Sequence, residues 1–109
     1  MANQRRCFDS YRIQYTTASG NQPLARIICY EGEDVAGMIT FHQDEAIVPN
    51  AGVFQRDKIR IGYAIRRYSE VMDLLRNEEP LELYLDPEAG WGALLTCELE
   101  PVGEGDDRL

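Results

Sequence analysis

The chain is poor in the residues that most often do chemistry. Among 109 residues there is one histidine, His42, and there are three cysteines, Cys7, Cys29 and Cys97. No P-loop and no G-x-G-x-x-G stretch occurs, which excludes the usual glycine-rich phosphate cradles. No Cys or His pair stands at zinc-ligand spacing. The segment His42-Gln43-Asp44-Glu45 has metal-like residues, but it follows a strand, where a charged loop is expected. Ser10, Ser19 and Ser69 lack the strand-to-helix glycine context of a nucleophile elbow. A Cys–His couple using His42 would need a cysteine outside the core, and all three cysteines read as strand core. No cofactor, metal ligand or catalytic residue is therefore assigned, and the balance leans towards a non-enzyme.

Long apolar runs are also missing. None approaches the ~20 residues that cross a bilayer, so no membrane partner is expected. The start, Met1-Ala2-Asn3-Gln4-Arg5-Arg6, leads into polar residues rather than an apolar stretch. No export signal is expected, and the cytoplasm follows as the default compartment. The odd number and wide spacing of the cysteines agree with that. They read as three small buried hydrophobes, with a disulfide or a reactive thiol as the alternative.

What is present is a globular composition, 44% hydrophobic and 28% charged, with a net charge of −8. The charge is unevenly spread. Residues 1–69 carry a net +2, and residues 70–109 a net −10. An overall basic footprint for a nucleic-acid duplex is absent.

Period-two alternation predicts a half-buried strand over 7–16, with Tyr11, Ile13 and Tyr15 on one face. Residues 18–23 read as a loop. A strand over 24–30 is apolar on both faces and therefore central. Residues 31–34 make a tight connection into a strand over 35–42, where Gly37 marks a bulge or a close backbone approach. Ala46-Ile47-Val48 reads as a short strand ended by Pro49. A clear strand over 56–64 places Ile59, Ile61 and Tyr63 on one face and Arg56, Lys58 and Arg60 on the other.

Tyr68, Val71, Met72 and Leu75 stand at helical spacing and predict one amphipathic helix near 66–77, with Leu74 widening the stripe. Ser69 is a candidate N-cap, unless the helix starts a turn earlier. Pro80 ends it. Leu81 to Asp86 and Trp91 to Glu100 form a final hairpin about the turn Pro87–Gly90. Leu81, Leu83 and Leu85 point inward on its first strand, and Ala93, Leu95, Cys97 and Leu99 share a face on its second.

The order β-β-β-(β)-β-α-β-β predicts an α+β, β-rich fold: a curved antiparallel sheet or small barrel of about six strands with one helix. Residues 1–100 are expected to form one domain and 101–109 a flexible acidic tail. The block Tyr68-Ser69-Glu70-Val71-Met72-Asp73-Leu74-Leu75-Arg76-Asn77-Glu78-Glu79-Pro80, with the ending Glu100-Pro101-Val102-Gly103-Glu104, resembles small single-domain bacterial proteins of unknown function. The resemblance covers roughly the C-terminal half. It implies a stand-alone single domain and no particular activity.

The sharpest positive feature is basic. Arg56, Lys58 and Arg60 alternate along one strand, and Arg66 and Arg67 follow at the helix start. They form a candidate anion- or partner-binding surface, with Tyr84 or Trp91 available for stacking. The competing reading is a solvated face neutralised by Glu82, Asp86, Glu98 or Glu100. Trp91 itself is expected to cap one end of the core. Three functions remain in order. The first is a protein-binding or self-associating module, a homodimer through an uncovered sheet face or edge included. The second is single-stranded nucleic-acid or anion binding, nucleic acid being the less favoured. The third is a small-ligand barrel or enzyme.

Overall fold

The structure is a computed structural model that describes residues 3–16, 23–78 and 80–97. It is α+β and rich in strand. The first strand pattern breaks in two at Asp9, giving β1 (Gln4–Phe8) and β2 (Ser10–Tyr15). Then come β3 (Ala25–Glu31), β4 (Asp34–His42), β5 (Gly52–Phe54), β6 (Lys58–Ala64), α1 (Tyr68–Asn77), β7 (Leu81–Asp86) and β8 (Trp91–Thr96). Single 3-10 turns cover Glu45–Ile47 and Ile65–Arg67. The α-helix is the only one among the described residues, and it is too short to cross a membrane.

The strands form two sheets, and neither closes into a barrel. One has three strands in the order β1-β7-β8, and the other has five in the order β2-β3-β4-β6-β5. The chain changes sheets at Asp9, whose N–H donates to the Tyr30 carbonyl at 2.9 Å. Such a corner lets one extended segment serve two packed sheets. The expectation of a single antiparallel sheet is corrected in a second way: β4 and β6 run parallel. Parallel neighbours cannot be joined by a tight turn, so residues 43–57 form a crossover that carries a 3-10 turn and β5. Ala46 and Ile47, expected in a strand, lie in or beside that turn, where the Asp44 side chain accepts from the Ala46 N–H at 2.9 Å.

The core lies between the sheets and under α1. Leu81, Leu83 and Leu85 meet Ile27, Ile39, Ile59 and Ile61, and α1 adds Val71, Met72 and Leu75. Phe41 is wholly buried, with its ring 4.9 Å from Tyr68 edge-on and 6.2 Å from Tyr63. Leu74 is exposed rather than part of the stripe. Arg67 occupies the helix N-cap position in place of Ser69, because the Ile65–Arg67 turn starts the winding earlier. In β8 it is Leu94, opposite Leu83, that packs on the core, while Leu95 is exposed. An unbroken apolar run cannot announce its own phase. Trp91 is 56% exposed and caps no core end.

Gly37 has both properties expected of it. The β3–β4 register jumps from Cys29–Gly37 to Tyr30–Val35, so Ala36 is a bulge residue beside it. A Cβ on Gly37 would fall against the Ile59 carbonyl and Leu83 Cδ1. The cysteine reading needs correction. Cys29 is buried, and burial pushes its thiol up to about 12. Cys7 and Cys97, however, are joined in a disulfide, with their Cα atoms 6.0 Å apart. It ties β1 to the residue just past β8 across the intervening β7. The acidic tail and the loop 17–22 lie outside the described residues.

Two stability outcomes follow. Gly37→Ala forces two packed sheets apart and is expected to cost about 3 kcal/mol in urea unfolding, since overpacking at rigid backbone is seldom relieved. The disulfide closes a loop between residues 90 apart. The oxidised chain should unfold at higher denaturant than the Cys7→Ser/Cys97→Ser variant, by about 4 kcal/mol of loop entropy.

Candidate anion-binding site

The site is built on the outer face of the five-stranded sheet, opposite the core. In β3, Ala25, Ile27 and Cys29 are buried inward, so Arg26 and Ile28 point out. Register then fixes the neighbours. Arg26 lies opposite Thr40, which lies beside Gly62, and Ile28 lies opposite Met38, which lies beside Arg60. Arg26 and Arg60 therefore flank β4 from either side, offset by two residues along it, about 12 Å apart at the backbone. His42 follows Thr40 on the same face.

The crossover folds back over this face and supplies walls. Pro49 and Phe54 from the crossover join Pro23, Arg26, Met38, Thr40, His42 and Arg60 around a cleft of about 360 Å³. That volume suits a small molecule. Thr40 and His42, though on the outer face, are only 5% and 4% exposed. Gly62 lacks a side chain where one would meet Val48 Cγ1 at 3.0 Å and Thr40 Oγ1 at 3.2 Å.

The polar groups of the cleft are only partly satisfied. Among the described residues, the buried side-chain nitrogens without a hydrogen-bond partner are Arg26 Nε, His42 Nδ1 and Arg60 Nε. All three residues line this one cleft. Arg60 Nη2 donates only a long bond, 3.5 Å, to the Asn50 carbonyl. No acidic partner is found for Arg26 or Arg60 among the described residues. Buried polar groups are paired in the great majority of cases, and an unpaired one costs about 1–3 kcal/mol, more when charged. Two buried guanidinium Nε–H donors without an acceptor, in residues that line one cleft, thus mark a place where an anion would be favourable.

His42 is held by Thr40, whose hydroxyl lies 2.9 Å from Nε2 and 3.5 Å from the Ile61 carbonyl. If the hydroxyl donates to that carbonyl, Nε2 carries the proton and Nδ1 is an acceptor; if it donates to Nε2, Nδ1 is a donor. Burial pushes the His42 pKa below 6.5, and the Arg60 charge pushes the same way. The ring is neutral at neutral pH. An anion bound between the guanidiniums would oppose the Arg60 effect and favour protonation.

The residues singled out in the sequence are dispersed. Lys58 and Arg60 share the outer face, and Lys58 pairs with Asp57 at 3.7 Å. Arg56 is not in the strand: it sits in the β5–β6 turn with φ 79°, following Gln55 at φ 48°. Two consecutive left-handed residues make the reversal a hairpin favours, here without the usual glycine. Arg66 is paired with Glu45. Arg67 pairs with Glu70 at 3.3 Å and lies over the Tyr63 ring. Tyr84 and Trp91 pack on each other, centroids 5.5 Å apart, on the three-stranded sheet, where Arg5 lies over Tyr84. Of the expected acidic partners, Glu82 pairs with Arg5 at 3.2 Å, and Glu98 and Glu100 lie outside the described residues. Arg26 and Thr40 escape the sequence reading, and His42 enters it only as a metal or Cys–His candidate. Their one signal is a charged or polar residue at alternate positions of two central strands.

The His42 shift has a measurable sign. Above pH 6.5 the ring is neutral whether the chain is folded or not. Below it, the unfolded chain takes up a proton that the folded ring resists, so stability falls as the pH drops through 6.5. In buffer free of phosphate and carboxylates, the melting temperature should drop more between about pH 7 and about pH 5 for the natural chain than for His42→Gln. Equal slopes would remove His42 from this account. Comparison of the chain with protein-family models, curated proteins and solved structures returns no match.

Proposed function

We propose that this chain is a binding module for a small organic anion, a phosphate or carboxylate carried on an apolar body, held in the cleft on the outer sheet face. One observation carries the reading: the three residues with an unpartnered buried nitrogen among the described residues, Arg26, Arg60 and His42, all line one cleft. The guanidiniums supply charge-assisted donors, which are the strong ones for such groups. Met38, Phe54, Pro23 and Pro49 supply the apolar wall.

A nucleic-acid strand fits less well. A strand needs a run of free cations with aromatic platforms beside it. Arg66 and Arg67 are engaged with Glu45 and Glu70, and Tyr84 and Trp91 pack with Arg5 on the other sheet. The cleft offers only a pair of cations, Arg26 and Arg60, with an apolar wall beside them. The one hydroxyl–imidazole pair among the lining residues is Thr40 with His42, 2.9 Å apart, and both side chains are almost wholly buried in the sheet, which favours binding over turnover.

Calorimetry with phenyl phosphate, benzoate and inorganic phosphate tests this. Phenyl phosphate should bind one to one, more tightly than inorganic phosphate. Its relative strength against benzoate identifies the preferred anion. Arg26→Gln and Arg60→Gln should each weaken binding about tenfold to a hundredfold, the worth of a charge-assisted bond. Arg56→Gln, out in the turn, should leave it unchanged. Absence of saturable binding by all three probes would sink the proposal, as would equal losses from Arg56→Gln and Arg60→Gln.

A further inference from the structure

The outer face of the three-stranded sheet holds a second cluster, independent of the cleft. Cys7 on β1 lies opposite Glu82 on β7, and Cys97 reaches back over β7 to meet Cys7. One donor atom from each of the three lies within 4.8 Å of the others. Glu82 is only 6% exposed. Arg5 Nε binds its Oε2 at 3.2 Å, and Oε1 faces Cys7 Sγ at 4.0 Å.

A disulfide alone does not explain that carboxylate. A bridged sulfur carries no proton to donate and no positive charge, so Oε1 gains nothing from facing it. Burying a carboxylate is costly unless each oxygen is engaged. Two thiolates and a carboxylate, by contrast, make a donor set suited to Zn2+, the ion offsetting two of the three negative charges and Arg5 standing beside the third. Arg5 then acts as an outer partner that fixes the carboxylate. Cys7 and Cys97 are half-buried, so the sulfurs are reachable from solvent.

We infer that Cys7, Glu82 and Cys97 form a redox-gated zinc site: closed as a disulfide when oxidised, and a three-ligand Zn2+ site when reduced. A dithiol reductant supplies two electrons and two protons. The Cys7–Cys97 bond breaks, both cysteines become thiols, and the reductant closes into its own disulfide. Zn2+ then displaces the two thiol protons to solvent and gains two sulfur bonds and one bond to Glu82, with water left for the fourth position. A disulfide oxidant takes the two electrons and two solvent protons to become a dithiol, the Cys7–Cys97 bond re-forms, and the ion is released. A reducing cytoplasm, the compartment expected from the sequence, would favour the metal-bound form.

The full chain, reduced with a phosphine and separated from it, is titrated with Co2+ and then Zn2+. The expected result is one Co2+ per chain with thiolate-to-cobalt charge-transfer absorption, displaced by Zn2+, and none in the oxidised chain. Glu82→Gln should lower the affinity at least tenfold, in the range for loss of a ligand or its support, while still forming the disulfide. Cys29→Ala should bind as the natural chain does. Should Glu82→Gln fail to fold, proton release decides: two protons per Zn2+ on the natural reduced chain support the site, and none overturns it. No thiolate band in a reduced chain with titratable thiols would also overturn it, as would full affinity in a folded Glu82→Gln.

Discussion

The parallel pairing of β4 with β6 is the constraint on which the rest of the molecule depends. Parallel neighbours need a long return path, and residues 43–57 provide it. That path has a consequence beyond connectivity. An antiparallel hairpin would have left the outer face of the sheet open to water, as such faces commonly are. The crossover instead brings Val48 and Pro49 against it and adds Phe54 from the edge strand β5, while Thr40 and His42 are buried. A wet, shallow face becomes a walled cleft. On the other side of the same strands, Gly37 lets Leu83 and the Ile59 backbone approach, so the core closes tightly against the pair.

Electrostatics then gives the cleft its character. A guanidinium in water costs nothing to leave unpaired, but one whose Nε is buried without a partner among the described residues has lost solvent for no hydrogen bond. Arg60 also acts on its neighbour, helping to hold His42 neutral. Both effects weaken the empty fold, and both are relieved by an anion in the same place. Sites that give up stability in this way are where local rules of folding are expected to break. The basic residues whose charges are met locally, Arg6 with Glu31 and Asp57, or Arg66 with Glu45, show the ordinary alternative in the same chain.

How much of this could be read from the sequence depended on whether a local period fixed the answer. The α1 stripe and the inward Leu81, Leu83 and Leu85 follow directly from spacing. The sheet switch at Asp9 does not, because one alternating run serves both strands and no glycine or proline marks the corner. Arg56 looked like strand because the β5–β6 turn uses Gln55 and Arg56 at positive φ, where glycine or asparagine would have announced it. The phase of β8 was lost in the run Ala93-Leu94-Leu95, whose residues are all apolar. The basic cluster was half legible. Lys58 and Arg60 follow from alternation, but Arg26 belongs to the cleft only through a register that crosses β4.

The cysteines show the same limit more sharply. Spacing along the chain says nothing about a pair 90 residues apart, and a strand-like context made each look like core. For Cys29 that inference holds, and its raised pKa leaves it inert. For Cys7 and Cys97 it fails because they lie on the sheet face turned away from the core. The neighbour that distinguishes the two cases is Glu82. A carboxylate beneath a core cysteine would be a destabilising fault, whereas on this outer face Glu82 has Arg5 to hold one oxygen, with the other turned towards Cys7. Each outer face of this molecule thus carries one group whose charge the surrounding protein leaves incompletely answered. In the cleft it is a pair of cations, and beside the disulfide it is an anion.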